Sequence, residues 1–110
     1  KNVLYNHNMR FEQENLEKLK NEILFIVTVH IDVSKFKVFF FGSRVTGKGD
    51  DRSDIDIGIE GKEPVPVETM MEIEDEIREL PVFYKMEIVD FKKVSDDFYK
   101  VAKQNVEFLN

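Results

Sequence analysis

The 110-residue sequence contains no cysteine and two histidines, His7 and His30, which are far apart in the chain. Without cysteine the protein has no disulfide, no thiolate zinc site and no cysteine nucleophile. The wide separation of the histidines argues against a histidine metal cluster and against a Ser-His-Asp triad. A disulfide-free chain fits the cytoplasm, which is the location we predict.

The sequence also lacks a long apolar run and an excess of basic residues. The longest near-apolar segment, residues 23–29, is too short to cross a bilayer, and residues 1–8 are too polar for a signal peptide. Lys and Arg total 16 against 22 Asp and Glu, a net charge of −6, whereas a general nucleic-acid binder needs a basic face. We therefore expect no membrane partner and no direct contact with nucleic acid.

The length of the chain limits it to one core and one site. We predict a single domain over residues 10–110, because Met9 opens the first helical pattern. Residues 1–9 are then expected to be an N-terminal leader or an expression remnant. A hydrophobic content of 42% beside 35% charged residues is typical of a globular domain rather than a disordered chain.

Hydrophobic periodicity predicts an alternation of helices and strands. The predicted helices cover residues 10–30, 67–80 and 96–109, the last with Ser95 as its N-cap. The predicted strands cover residues 37–41, 54–60 and 82–91. The glycine-rich and charged stretch 42–53 is expected to be a loop.

Two aspartates in the second predicted strand are the strongest candidates for chemistry. Asp54 and Asp56 are two residues apart, so both point to one face of the strand, with Cα atoms about 6.6 Å apart. Like charges at this distance repel each other and need a cation, and oxygen-only ligands suit Mg²⁺ or Mn²⁺. Ile55 and Ile57 point the other way and are expected to anchor the strand in the core.

The end of the preceding strand predicts a phosphate-binding segment. Gly42 lets backbone N–H groups approach an anion, Ser43 adds a hydroxyl donor and Arg44 a positive charge. Ser53 either caps the entry to the next strand or contacts phosphate. A phosphate cradle beside a carboxylate pair is the minimum equipment for metal-assisted phosphoryl or nucleotidyl transfer.

The same stretch contains most of a Walker A sequence, which we exclude. Gly42 is followed by Gly47 and Lys48 at the Walker spacing, but Gly49 stands where a metal-binding Ser or Thr is required. A Walker loop also leads into a helix, whereas this stretch leads into a strand pattern.

The motif resembles the signature of the minimal nucleotidyltransferases, a family in the DNA polymerase β-like superfamily that includes antitoxins of HEPN/MNT modules. The resemblance rests on Gly42-Ser43, ten intervening residues and Asp54-Ile55-Asp56, with the strand around Glu87 following downstream. It implies an α/β fold with a small mixed sheet, the first two strands antiparallel, and helices packed against it. It also implies transfer of a nucleotide from a nucleoside triphosphate, ATP, with Mg²⁺ or Mn²⁺ as the metal.

The family carries a third metal-binding carboxylate in its third strand. We assign this role to Glu87, which together with Asp54 and Asp56 would hold the metal and favour loss of the acceptor's proton. Asp90 is the rival, and because it lies three residues from Glu87, the two point to opposite faces of a regular strand.

The resemblance also implies the acceptor and the partner. A chain that ends after the catalytic unit takes its second site from another chain or from self-association, as a homodimer or a hetero-oligomer. Minimal members resemble antitoxins that transfer AMP to a tyrosine of a helical HEPN toxin, which is the role we expect. Transfer to a small hydroxyl compound such as an aminoglycoside, or inhibition of a partner by contact alone, are the alternatives. Phe25 and Val29 support a partner, because they add a surplus apolar side to the first helix.

Overall fold

The computed structural model describes residues 2–42, 45 and 54–110, with the side chains of the first helix described from residue 15 onward. In chain order the elements are α1 (Asn2–His30), β1 (Phe36–Phe41), β2 (Ile55–Gly61), α2 (Val67–Arg78), β3 (Met86–Asp90), α3 (Asp96–Ala102) and β4 (Glu107–Phe108). Within this part of the chain, no helix is long and apolar enough to cross a membrane.

The strands form a mixed four-stranded sheet in the order β3-β2-β1-β4. β1 and β2 are antiparallel, with Phe41 opposite Asp56. β2 and β3 are parallel, with Asp56 beside Glu87, and β4 is antiparallel to β1. The structure thus confirms the predicted mixed sheet, and it makes β3 an edge strand among the described elements.

Helices α1 and α2 cover one face of the sheet. Every second residue of β2 is apolar, and Ile55, Ile57 and Ile59 are 2% exposed or less because they point toward these helices. The helices contribute Leu19, Ile23, Val27, Met70, Ile73 and Ile77 to the same core. His30 at the end of α1 joins the two helices, because its ring nitrogens lie 3.2 Å from Glu72 and 2.9 Å from Glu76 of α2.

The other face of the sheet carries an aromatic cluster, which we define as Phe39, Phe41, Phe91 and Phe98. The rings of Phe39 and Phe91 meet edge to face with centroids 4.8 Å apart. Gly58 makes this contact possible, because a Cβ atom there would lie 2.4 Å from the ring of Phe39. Helix α3 packs over the cluster, with the Ser95 hydroxyl accepting a 3.1 Å hydrogen bond from the backbone N–H of Phe98.

Several predicted boundaries were wrong. α1 begins at Asn2 rather than at residue 10, since residues 2–30 contain no proline or glycine that would end a helix. α2 ends at Arg78 rather than at residue 80. β3 begins at Met86 rather than at residue 82, because its partner β2 begins at Ile55, the residue that pairs with Met86.

The predicted last helix, residues 96–109, was wrong in its second half. α3 ends at Ala102, and residues 107–108 form β4, which pairs with Phe39 and Phe40 of β1. The side chain of Asn110 then fixes the start of β1. It accepts a 2.7 Å hydrogen bond from the N–H of Val38 and donates to the carbonyls of Val33 and Phe36. A two-residue strand is too short to show a period in the sequence.

Candidate active site

The structure places the two aspartates on the face of the sheet opposite α1 and α2. Asp56 lies within β2 and Asp54 immediately before it, while Ile55 and Ile57 are buried against the helices. The alternation expected of a half-buried strand is therefore present. Both carboxylates stand on the same face as the aromatic cluster, and the buried side chains of Ile55 and Ile57 hold the strand in position.

Gly42 lies directly against the carboxylate of Asp56. Its φ of +87° is a conformation that glycine adopts and that L side chains rarely do. A Cβ atom at this position would lie 2.4 Å from Asp56 Oδ2. The chain therefore leaves β1 through a residue whose backbone approaches the carboxylate in a way that any side chain would prevent.

Glu87 completes a group of three carboxylates. It is the register partner of Asp56 on the neighbouring strand β3, so the two side chains lie on the same face. Burial raises the pKa of the Asp56 carboxyl above its usual value, and the negative charges of Glu87 and then Asp54 raise it further. The site therefore concentrates negative charge that a bound cation would relieve.

Asp90 has a different environment from Glu87. It is 8% exposed and pairs in register with Ile59, on the face covered by the helices. Its carboxylate accepts hydrogen bonds from the N–H of Val65 at 2.8 Å and of Lys92 at 2.9 Å. Asp90 thus connects the end of β3 to the segment before α2, and its oxygens are directed away from Asp54 and Asp56.

The donor atoms of this group fit a hard divalent cation. Carboxylate oxygens are the ligands that Mg²⁺ and Mn²⁺ prefer. Among the side chains that the structure describes, no three acidic or histidine groups are close enough to hold an ion as they stand. Glu87 Oε1 lies 3.8 Å from Lys85 Nζ, and the Glu87 side chain is 54% exposed. Its rotatable bonds allow the carboxylate to turn from Lys85 toward Asp56.

Lys85 is a neighbour of the site that the sequence analysis did not identify. Its position two residues before Glu87 is the signal that places both side chains on one side of the strand. Ser43, Arg44 and Ser53, the other predicted phosphate contacts, lie outside the described residues, so their roles stay predictions. A cleft of about 220 Å³ borders Glu87 at the outer edge of β3, with Glu74 and Arg78 of α2 on its opposite wall.

A family model described as polymerase beta, nucleotidyltransferase, matches residues 34–109. The chain belongs to this nucleotidyltransferase family. The matched segment contains all four strands of the sheet, together with Gly42, Asp54, Asp56 and Glu87. The resemblance noted from the motif is therefore confirmed, and with it the enzyme class.

A named relative of this nucleotidyltransferase agrees with the family assignment. The probable protein adenylyltransferase MntA of Haemophilus influenzae is 28% identical over 88 residues, which cover 78% of this chain and 77% of the relative.

Solved structures confirm the fold. A toxin–antitoxin crystal structure with AMP-PNP superposes with a TM-score of 0.66 at 20% identity, covering 83% of this chain and 72% of that chain. A tri-AMPylated Shewanella oneidensis HEPN toxin in complex with MNT antitoxin superposes with a TM-score of 0.64 at 17% identity, covering 86% and 71%.

Proposed function

We propose that this nucleotidyltransferase transfers AMP from ATP to a tyrosine hydroxyl of a cognate HEPN-type toxin and thereby acts as its antitoxin. The observation that carries the proposal is the placement of Asp54, Asp56 and Glu87 on one sheet face beside Gly42. Two comparisons support a toxin protein as the acceptor. The H. influenzae relative is a probable protein adenylyltransferase, and a structural neighbour contains an AMPylated HEPN toxin.

The residues divide between the two substrates. Gly42, with Ser43, Arg44 and Ser53, would bind the phosphates of ATP, and the carboxylate of Asp56 lies directly against Gly42. In the transfer the acceptor oxygen forms a bond to the α-phosphorus, the bond from that phosphorus to the bridging oxygen breaks, and pyrophosphate leaves. Glu87 lies on the outer side of the carboxylate group, where its carboxylate would act as the general base and accept the hydroxyl proton.

Asp54, Asp56 and Glu87 would together hold divalent cations, Mg²⁺ or Mn²⁺. When bound, such cations supply charge neutralisation for the triphosphate and a lower pKa for the acceptor hydroxyl. A phenol hydroxyl can then react near neutral pH without a histidine base. His30 agrees with this division of roles, because it pairs with glutamates on the opposite side of the sheet.

The exposed side of α1 supports a protein partner. Phe25 is 70% exposed and Val29 is 62% exposed, while Leu19, Ile23 and Val27 on the same helix are buried in the core. The sequence predicts an apolar side of α1 beyond the one that the core uses, and Phe25 and Val29 are exposed there. Apolar side chains exposed on one face of a small domain are typical of protein interfaces.

We predict that ATP with Mg²⁺ or Mn²⁺ raises the melting temperature of the protein and that Asp54→Asn combined with Asp56→Asn removes this gain. A ligand at about 100 times its Kd stabilises a fold by about 2.7 kcal/mol, or roughly 10 °C for a domain of this size. Differential scanning calorimetry of both proteins, with and without metal and nucleotide, measures the difference.

The same experiment tests the repulsion among the carboxylates. The pKa of the Asp56 carboxyl is higher in the folded protein than in the unfolded chain. The free energy of unfolding therefore falls as the pH rises from the unfolded pKa through the folded pKa, and wild type is less stable at neutral pH because of Asp56. Without ligands the double variant should therefore melt at or above the wild-type temperature. An equal ligand-induced shift in both proteins would reject the assigned metal site.

We predict that the chain copurifies with a helical HEPN-type protein encoded beside it when the two are coexpressed. With ATP and Mg²⁺ the partner should gain the mass of one or more AMP groups, located on tyrosine by fragmentation. Intact mass spectrometry measures the gain, and the Asp54→Asn, Asp56→Asn protein serves as the inactive control.

Two other results would contradict the proposal. Transfer of AMP to an aminoglycoside without complex formation would replace the antitoxin role by modification of a small hydroxyl compound. A complex that forms with no mass gain would indicate a subunit that inhibits by contact alone.

A further inference from the structure

We propose that Phe98 of α3, supported by Phe41, is the platform on which the purine base of the nucleotide stacks. This inference rests on the proposed use of ATP and adds the residue that recognises the base. The phosphate and carboxylate groups already described bind the charged part of a nucleotide, whereas the base needs a flat apolar surface nearby.

Two contacts, from Asp56 to Phe41 and from Phe41 to Phe98, place Phe98 near the carboxylates. Phe41 lies directly opposite Asp56 in the β1–β2 ladder, so the two side chains are neighbours on one face. The ring centroid of Phe98 lies 6.0 Å from that of Phe41. Phe41 therefore contacts Phe98 on one side and neighbours Asp56 on the other.

Two hydrogen bonds at the end of α3 are directed to the far end of the sheet. The Tyr99 hydroxyl donates a hydrogen bond to Glu60, and Lys103 Nζ donates to the same carboxylate at 2.7 Å. Glu60 lies four residues beyond Asp56 along β2. These bonds hold α3 over the end of the sheet face that contains Glu60. Phe98 contacts Phe41, so it lies on the side of α3 that is nearer to Asp56.

Phe98 is partly exposed, unlike the aromatic residues beneath it. Phe98 is 42% exposed, whereas Phe39, Phe41 and Phe91 are each 8% exposed or less. Its ring plane makes angles of 83° with Phe41 and 59° with Phe91. Neither of these two rings stacks in parallel on Phe98, so among the described aromatic contacts its face stays available for a parallel ring such as a nucleobase.

The absence of tryptophan from the chain allows a direct spectroscopic test. Phe98→Trp introduces a single indole at the platform, and Val101→Trp introduces one at a residue of the same helix that is 70% exposed. Titration with ATP and Mg²⁺ should quench the indole at position 98 and leave the indole at position 101 unchanged. Tripolyphosphate, which has no base, should quench neither.

Calorimetric titration distinguishes stacking of the base on Phe98 from a role of Phe98 in packing against Phe41. Phe98→Leu keeps an apolar side chain over Phe41 but removes the aromatic face, and it should weaken ATP binding roughly tenfold, equivalent to about 1.4 kcal/mol. Phe98→Tyr should retain the wild-type affinity. Tripolyphosphate should bind all three proteins equally, because its contacts do not include the ring.

The outcomes distinguish this inference from the proposed function. If wild type binds ATP and Phe98→Leu binds it equally well, the platform is wrong and the use of ATP stands. If Phe98→Leu weakens ATP and tripolyphosphate to the same extent, the residue has a structural role only and the platform is again wrong. If wild type binds no nucleotide in the presence of Mg²⁺, both proposals fail.

Discussion

Replacing Glu87 by glutamine is expected to lower the rate of AMP transfer by orders of magnitude while ATP still binds. The substitution keeps the shape of the side chain and removes the charge beside Asp56 on the register-paired strand. A group that acts on the acceptor contributes to the transition state more than to nucleotide binding, so kcat should fall and the Kd for ATP should change little. Single-turnover rates and calorimetric titration of the same preparation measure the two quantities.

Asp90→Asn is the matched control, because it removes a nearby charge from the same strand. Asp90 is buried and accepts two backbone hydrogen bonds on the opposite face of the sheet. Its replacement should lower the free energy of unfolding by about 1–3 kcal/mol and leave the transfer rate of the folded protein near wild type. If Asp90→Asn abolished transfer and Glu87→Gln did not, the role assigned to Glu87 would be wrong.

Gly42→Ala is expected to reduce both stability and transfer. At a φ of +87° an alanine costs about 1–3 kcal/mol of backbone strain. Its Cβ would also lie 2.4 Å from Asp56 Oδ2, so the carboxylate must move. Because a displacement of about 1 Å in a catalytic group can cost roughly a hundredfold in rate, we expect a loss of that order.

Gly61→Ala is the control that separates the loss of stability from the loss of transfer expected for Gly42→Ala. Gly61 lies at the far end of β2, where a Cβ atom would meet the Phe36 ring at 2.7 Å and the Lys35 carbonyl at 2.9 Å. This variant should also be destabilised, but its transfer rate at a temperature where it is folded should match wild type. Equal rate losses at the two glycines would show that general destabilisation, rather than the contact with Asp56, explains the result for Gly42.

The part of the site that lies on β2 could be predicted from the sequence. The alternation of Asp54, Ile55, Asp56 and Ile57 determines by itself which side chains face the core and which face the opposite side of the sheet. The choice between Glu87 and Asp90 needed more than the motif, since both follow apolar residues in the same strand. It depends on the register with β2, which brings Glu87 beside Asp56 and buries Asp90 at a turn.

The C-terminal part of the fold could not be predicted in the same way. Phe108 and Leu109 continue the helical spacing of the residues before them, but β4 pairs with β1 instead. That pairing joins residues about seventy positions apart, for which a local pattern contains no signal. Phe98 illustrates the same limit, because its relation to Phe41 exists only after α3 has folded over the sheet.

The position of β3 at the edge of the sheet has a consequence for the behaviour of concentrated protein. An edge strand with unpaired N–H and C=O groups is a template on which a second copy could add its own strand. Lys85 precedes β3, whereas Lys92 and Lys93 follow it. In an antiparallel pair of two such edges, the lysine ahead of one strand meets the lysines behind the other, and like charges repel. The lysines that flank this strand therefore disfavour pairing of two β3 edges, and added salt, which screens their repulsion, should make such pairing easier.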